Sequence, residues 1–206
     1  NFINAAITSV KNQDFVFDNL EVIVVNDGYY ENNYISSYVD FDDVKIIRNF
    51  MGKGPGGARN SGISIASNDW ICFLDSDDIW KKNKIQLQYD LVEQGFNFVC
   101  TGYEFSNSKT VIIPPKKLNK AIDVFLKSGI GTSTILVSKQ LLVNTHFNDF
   151  RFSQDIDLWY RLATKESFTF GSIPDSCVIY NPNGSTKNKL IQFKSLYKVL
   201  TKNKII

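Results

Sequence analysis

The sequence is poor in the residues that build metal centres from nitrogen and sulfur. It has one histidine, His146, and three cysteines, Cys72, Cys100 and Cys177. No cysteine pair has zinc-ligand spacing and the histidine has no second imidazole near it, so a zinc site is not expected. An odd number of widely spaced cysteines does not make a disulfide framework either. Cys72 and Cys100 lie in apolar runs, which suits buried thiols in a reducing, cytoplasmic setting. A surplus of charge is also missing: the net charge is +2, so no overall field draws the chain to nucleic acid. No apolar run approaches the ~18 residues that a membrane span needs. Asn1 to Asp14 has neither the basic start nor the apolar core of a signal peptide. The expectation is a chain that works in solution or on a membrane surface. There is no internal repeat, low-complexity stretch or clear linker.

What is present is an ordinary globular balance over 206 residues, 43% hydrophobic and 21% charged, enough for one domain with a sizeable core. Apolar residues at Ile3, Ala6, Ile7 and Val10 have helical spacing. Leu20–Val25 reads as a buried strand, Ile35–Val39 as a short helix and Val44–Ile47 as a strand. Ala58–Ala66 reads as a helix, Ile71–Leu74 as a strand, Lys81–Glu93 as a helix with Ile85, Tyr89 and Val92 inward, and Phe98–Phe105 as a strand. This alternation predicts a mostly parallel twisted sheet covered on both faces. The second half is less regular. Strands are expected at Lys109–Ile113, Ile135–Val137 and within Phe168–Tyr180, where Pro174 interrupts. Helices are expected at Leu118–Lys127, Ser138–Asn144 and Asp155–Lys165, the last with Ile156, Trp159, Tyr160 and Ala163 inward.

The most informative stretch is Trp70-Ile71-Cys72-Phe73-Leu74-Asp75-Ser76-Asp77-Asp78. A short apolar strand ends in three carboxylates within four positions, at the sheet edge where open α/β sheets bind ligands. Three close acids repel unless something positive lies among them. A hard divalent cation with oxygen ligands, magnesium or manganese, answers that need and can carry a phosphorylated substrate. The plainer alternative is an acidic turn before a helix, with Asp78 serving the helix dipole.

Three further pieces join it. Asn26-Asp27-Gly28 ends the first strand and puts Asp27 on the same edge. Gly56-Gly57-Ala58-Arg59-Asn60-Ser61-Gly62-Ile63 sets a glycine-rich turn at a helix start, with Arg59 in its first turn; both features favour anions. The turn lacks the lysine and serine of a P-loop. Gln154-Asp155-Ile156-Asp157-Leu158-Trp159 places a carboxylate at the start of an otherwise apolar helix.

Taken in order, Val24-Val25-Asn26-Asp27-Gly28, Gly57-Ala58-Arg59-Asn60-Ser61-Gly62-Ile63, Phe73-Leu74-Asp75-Ser76-Asp77-Asp78-Ile79-Trp80 and Asp155 with Leu158-Trp159-Tyr160-Arg161-Leu162 resemble the inverting family-2 glycosyltransferases of GT-A fold. Each motif is short, but all four occur in order from Asn1 to about Ser185. The resemblance implies an α/β, Rossmann-like three-layer sandwich with a mostly parallel central sheet and a less regular acceptor-side C-terminal half. It implies a glycosyltransferase domain over residues 1–185 and a basic amphipathic helix over 186–206. By position, Asp27 resembles the acid that reads the donor nucleobase. Asp75 resembles the acid on ribose or metal. Asp77 resembles the ligand of a manganese or magnesium ion that bridges the donor diphosphate. Arg59 resembles a nucleotide contact, and Asp155 the general base for the acceptor hydroxyl. Asp157 competes for that last role, but two residues on along a helix it points elsewhere.

The implied partners are a nucleotide-diphosphate sugar and a glycan or lipid-linked glycan acceptor, in bacterial surface polysaccharide synthesis. The implied setting is the cytoplasm or the inner face of the cell membrane. Tyr29-Tyr30 stands where the family usually has a serine after Asp-Gly, and Gln154 where it often has a glutamate. The family also opens with a strand and a Tyr-Asn turn. This chain starts at what resembles that turn's asparagine, Asn1, so the first strand is expected to be absent. Trp80 and Trp159 are expected to pack in the core or a pocket wall, with stacking on a sugar the alternative. Thr132-Ser133-Thr134 is expected to begin a strand, with acceptor binding the alternative, and Asn183-Gly184-Ser185-Thr186 to form a turn whose loop can close on the diphosphate. In the last helix Leu190, Phe193, Tyr197 and Leu200 form one stripe, and Lys194, Lys198 and Lys202 another. Docking on the domain is the favoured reading there, and contact with anionic lipid the alternative. The rival functions are an inactive nucleotide- or sugar-binding module and an aspartate-nucleophile phosphohydrolase.

Overall fold

Local patterning builds most elements directly. The computed structural model describes residues 2–28, 39–108, 110–127, 129–150, 152–182 and 189–205, with the backbone alone for 189–193. The Ile35–Val39 helix, the tyrosines at 29 and 30 and the 183–186 turn therefore lie wholly or mostly outside the described residues. Helix α1 (Phe2–Lys11) buries Ala6, Ile7 and Val10, the spaced apolar positions. Strands β1 (Val22–Asn26) and β2 (Val44–Arg48) pair in parallel, with Val22 opposite Val44 and Asn26 opposite Arg48.

Helix α2 (Gly54–Ile65) starts inside the glycine-rich segment, four residues before the sequence suggested, with Pro55 in its first turn. Proline costs nothing there because its missing N–H has no helical partner. The glycines allow close approach rather than a loop. A Cβ on Gly57 would sit 1.8 Å from the carbonyl oxygen of Gly52, and one on Gly56 would sit 2.3 Å from Gln154 Oε1. The early start makes Arg59 the sixth helical residue, beyond the first turn, so it reaches its partners by its length and not as part of the helix terminus.

Strand β3 (Trp70–Cys72) leads through the acidic turn into the two-residue β4 (Ile79–Trp80). Helix α3 (Lys84–Val92) follows, and its buried face differs from the expected one: Lys84, Ile85 and Gln88 are inside while Tyr89 is exposed. Polar pairing explains the rotation. The Lys84 ammonium lies 4.0 Å from the centre of the Trp80 ring and donates to Gln88 Oε1 at 2.6 Å. Gln88 Nε2 donates in turn to the carbonyls of Val99 and Thr134. A buried polar residue is tolerated when its bonds are made, and apolar periodicity does not register it.

The rest comprises β5 (Phe98–Phe105), β6 (Val111–Ile112), α4 (Asp123–Leu126), β7 (Ile135–Ser138), α5 (Lys139–Leu142), α6 (Gln154–Ala163), β8 (Phe170–Tyr180) and α7 (Lys189–Lys202). The larger sheet has the order β3-β7-β5-β8-β4, with β6 on β5. It is mixed, which corrects the mostly parallel expectation. β5 and β8 run parallel; β3–β7, β5–β7, β4–β8 and β5–β6 run antiparallel. Parallel pairing needs a long crossover. The chain from β5 to β8, through β6, α4, β7, α5 and α6, supplies one, whereas β4 comes straight off the acidic turn. Pro174 sits in a bulge of β8, where the register with β5 shifts beside Gly102, so its missing N–H breaks no regular pairing.

The sheet separates two apolar clusters. One contains Ile63 of α2, Ile71, Phe98, and Leu158, Trp159 and Leu162 of α6. The other contains Val10 of α1, Trp80, Ile85 of α3 and Val178, with Cys72 packed against it. Ile71 and its neighbour Cys72 thus face opposite sides, as alternate strand residues do. A cavity of about 710 Å³ lies between β1 and β3, lined by Val22–Val25, Ile71–Asp75 and the inner face of α1, and reached also by Asp27 and Arg59. β1 and β3 belong to different sheets, and among the described residues neither has a strand partner on its second edge.

Helix α7 docks through Ser195, Val199 and Asn203, which recur every four residues: Ser195 Oγ donates to the Phe152 carbonyl and Asn203 Nδ2 to Asp157 Oδ1 at 2.8 Å. Tyr197, expected in the inward stripe, is more than half exposed beside the exposed Lys194 and Lys198. The side chains of Leu190 and Phe193 lie outside the described residues. Among the described residues no helix is long and apolar enough to cross a membrane.

Candidate active site

The acidic turn divides into three carboxylates with three environments. Asp75 is half-exposed, and its Oδ1 accepts from Arg59 Nη2 at 2.6 Å. Asp77 is partly exposed, and among the described residues its carboxylate makes no hydrogen bond. Asp78 is buried; its Oδ2 accepts from Ser133 Oγ at 2.6 Å and its Oδ1 from the Asn181 N–H at 3.1 Å. Burial pushes the Asp78 carboxyl up to about 7, with Asp75 and Asp77 adding to the rise and the two hydrogen bonds opposing it. Asp78 is therefore a structural anchor, and neither a helix-dipole residue nor an open ligand.

Asp27 ends β1 and accepts twice at Oδ1, from Asn49 Nδ2 at 2.6 Å and from the Gly54 N–H at 3.0 Å. It ties the end of the strand to the start of α2, and its Oδ2 accepts none of these bonds. Asn49 in turn accepts from Ser61 Oγ and the Met51 N–H. Arg59 lies over the Phe147 ring at 5.5 Å while it holds Asp75. An arginine read from sequence as a nucleotide contact is thus paired with an acid read as a ribose or metal ligand.

At the other end of the chain Asp155 opens α6. Ser153, just before it, has φ 59°, an uncommon left-handed conformation for a residue with a side chain. Asp155 is partly buried; Oδ1 accepts from the Ile156 N–H and Oδ2 from Thr132 Oγ1 at 3.2 Å. Asp157 is fully buried and committed to protein: it accepts from Asn148 Nδ2, from Arg161 Nε and Nη2, and from Asn203 Nδ2. Gln154 is buried against Gly56, so the position just before Asp155 packs α6 against α2. Trp80 and Trp159 are core residues, as expected, and Trp80 Nε1 donates to the Ser133 carbonyl.

The residues that sequence reasoning undervalued are Thr132 and Ser133. They form a 3-10 turn just before β7 rather than the start of the strand. Ser133 Oγ accepts from the Asp75 N–H at 3.1 Å while donating to Asp78, and the Ser133 N–H donates to Tyr180 Oη at 3.0 Å. Burial and the neighbouring Asp78 and Asp75 push the Tyr180 phenol well above its ordinary range. Through this turn Asp155 is connected to an acidic turn 78 positions upstream of it (155 − 77). Nothing in periodicity marks Thr132 and Ser133; the one available signal was three consecutive hydroxyl residues flanked by glycine and an apolar run.

The carboxylates suit a cation that keeps part of its shell for substrate. Among the described residues no group of three or more acidic, cysteine or histidine side chains is arranged to hold a metal. Asp77, with one free oxygen of Asp75, offers the one or two carboxylates that magnesium-like ions take alongside substrate phosphates. The donor set fits a metal–diphosphate pair better than a permanent all-protein site.

Comparison with known proteins gives the family and the fold. The family profile described as Glycosyl transferase family 2 matches residues 1–156. The chain is 30% identical over 207 aligned residues to the Escherichia coli UDP-Glc:alpha-D-GlcNAc-diphosphoundecaprenol beta-1,3-glucosyltransferase WfgD, with 96% of this chain and 79% of that protein covered. The structure of S. aureus TarS 1-349 in complex with UDP-GlcNAc shares the fold, with a TM-score of 0.69 at 17% identity over 97% of this chain and 62% of that one. So does the mannosyltransferase PcManGT from Pyrobaculum calidifontis in complex with GDP-Man and Mn2+, with a TM-score of 0.70 at 13% identity over all of this chain and 61% of that one. The chain thus spans less than two thirds of either solved relative.

Proposed function

The chain belongs to glycosyl transferase family 2, and from that premise we propose that it transfers a sugar from a nucleoside diphosphate donor to an acceptor hydroxyl with inversion, using a divalent cation. One observation carries the reading: Thr132 and Ser133 link Asp155 to the Asp75–Asp78 turn, so the base candidate and the acids that suit a metal share one site.

The chemistry follows from the side chains. Asp77, assisted by Asp75, would hold the cation, which when bound would supply positive charge to the diphosphate leaving group. Asp27 and Arg59 belong to the nucleotide side. Asp155 takes the proton from the acceptor hydroxyl as that oxygen attacks the anomeric carbon. A single displacement by a deprotonated hydroxyl on the face opposite the leaving group inverts the centre. Asp157 does not compete for the proton because four donor contacts from three residues occupy its oxygens. The phosphohydrolase reading loses ground on the same geometry: Asp75, the first acid after the strand, is held by Arg59 instead of standing free as a nucleophile.

A lipid-linked glycan acceptor in bacterial polysaccharide synthesis is the partner class we favour, since WfgD is named for such an acceptor. The exposed Lys194, Tyr197 and Lys198 on α7 suit contact with an anionic leaflet on the cytoplasmic side. We assign residues 1–185 to the transferase domain and 186–206 to the basic helix. The test is calorimetric titration with UDP, with and without manganese. Binding that needs manganese and is lost in Asp77→Asn is the expected result. Equal binding without metal would overturn the metal assignment.

A further inference from the structure

Two features stand outside the roles assigned so far, the cavity between β1 and β3 and the buried Lys84 beside Trp80 and Gln88, and a third, the Thr132–Ser133 turn, has so far only joined the two halves of the site. The turn carries an inference furthest, because its two side chains touch both halves of the site. We propose that Thr132 and Ser133 are positioning residues that fix the register between the base and the donor-side acids. This rests on the reading of Asp155 as base and of the acidic turn as the metal side.

The two residues divide the task. Thr132 reaches only the base: its hydroxyl donates to Asp155 Oδ2, the oxygen not engaged by the α6 backbone. A carboxylate on the first turn of a helix otherwise has free rotation about its side-chain bonds, and a second contact from another element selects one rotamer. The Ser133 hydroxyl serves the acidic turn, with the Tyr180 phenol beside it. That hydroxyl receives the Asp75 N–H and gives its own proton to Asp78, so one oxygen fixes both ends of the four-residue turn that carries Asp77. The main chain of Ser133 is fixed independently, its carbonyl by Trp80 Nε1 and its N–H by Tyr180 Oη. Ser133 is fully buried, so the bonds that its own hydroxyl makes are shielded from competing water. Adjacent side chains on a clamped backbone thus hold two chemical groups that sequence separation leaves independent. Geometry of this kind matters because misplacement by about 1 Å can cost on the order of a hundredfold in rate.

Different readouts should separate the two arms. Thr132→Val keeps shape and removes the hydroxyl. It should lower kcat about tenfold to a hundredfold, the span for losing one hydrogen bond to a charged group. It should leave the donor KM and manganese-dependent UDP binding unchanged, and Thr132→Ser should restore the rate. Ser133→Ala should instead weaken manganese-dependent UDP binding, about tenfold by the same reasoning. Turnover is followed with UDP-glucose and a short-chain GlcNAc-diphospholipid acceptor, and folding by thermal melts. Wild-type kcat in Thr132→Val, or wild-type UDP binding in Ser133→Ala, overturns the proposal. Failure of the underlying reading looks different, since Asp155→Asn would then keep its activity whatever the threonine does. If a drop in UDP binding by Ser133→Ala is matched by a collapse of its melt, the serine is merely structural and its arm of the proposal fails.

Discussion

Two aspartates two positions apart on α6 should respond to mutation in opposite ways. Asp157 is completely buried and accepts from Asn148, from two nitrogens of Arg161 and from Asn203, while Asp155 is partly exposed and accepts from Thr132 and its own helix. Arg161 is partly exposed, so removing the buried carboxylate leaves no desolvated charge, but it leaves the Asn148, Asn203 and Arg161 donors short of an acceptor and costs about 3 kcal/mol. The Asp157→Ala change also releases Asn203, and with it one of the side-chain bonds that dock α7. At about 2–4 °C per kcal/mol for a chain of this size, the melting temperature should fall by roughly 10 °C. Asp155→Ala removes the Thr132 hydroxyl contact and the local Ile156 N–H contact of a partly exposed carboxylate and should cost about 1 kcal/mol. Thermal unfolding by circular dichroism, paired with a transfer assay, measures both. Asp157→Ala should be destabilised, with residual transfer where it folds; Asp155→Ala should melt like the wild type and transfer nothing. The reasoning fails if Asp155→Ala is the more destabilised of the two, or if Asp157→Ala melts within 2 °C of the wild type, the effect of about 1 kcal/mol.

Stability should also depend on pH through Asp78. Its carboxyl titrates near 7 when folded against an ordinary 3.8, so the folded state holds an extra proton between those values. That contribution is present below pH 4 and is lost as pH rises through 7, an effect on the order of 4 kcal/mol. Subtracting metal-free Asp78→Asn from wild type across pH 4–8 should reveal this slope, and a pH-independent difference would contradict it. Two glycines of α2 should separate cleanly. Gly57→Ala drives a Cβ to 1.8 Å from the Gly52 carbonyl oxygen and should destabilise by about 3 kcal/mol, whereas Gly62→Ala meets only Val25 Cγ2 at 3.4 Å and should be neutral or mildly stabilising. Denaturant melts of the two variants check both.

The sequence exposed the elements with clear apolar patterning. α1 appears where apolar spacing puts it because it buries one face, and β1, β2 and β5 appear where short apolar, β-branched runs put them, β5 with five consecutive buried residues. It misled where polar residues are buried. The inner face of α3 carries Lys84 and Gln88, and that of α6 carries Asp157; each is satisfied in part by a neighbour four residues along its own helix, Lys84 with Gln88 and Asp157 with Arg161, and Gln88 and Asp157 also by residues farther off. The glycine-rich segment looked like a loop because glycine lowers helix propensity. Here it is helix, since only a residue without a side chain lets α2 pass Gly52 and Gln154 so closely. For the site, the acids themselves were legible as a strand ending in carboxylates. Their division of labour was not: which of Asp75, Asp77 and Asp78 is bonded, free or buried depends on Arg59, Ser133 and Asn181. The preference for Asp155 over Asp157 came from helix direction alone, and the four donor contacts on Asp157 add a separate, independent reason.

The central claim is that Asp155 removes the acceptor proton at a site whose donor side is built by Asp75 and Asp77. The most direct test is single-turnover transfer by Asp155→Asn with manganese and UDP-glucose at saturating concentration, beside a titration of UDP binding in the same variant. The account predicts UDP binding equal to wild type and transfer reduced by at least about a hundredfold, in line with the loss of a general base. Transfer at a near-normal rate with binding intact would contradict it.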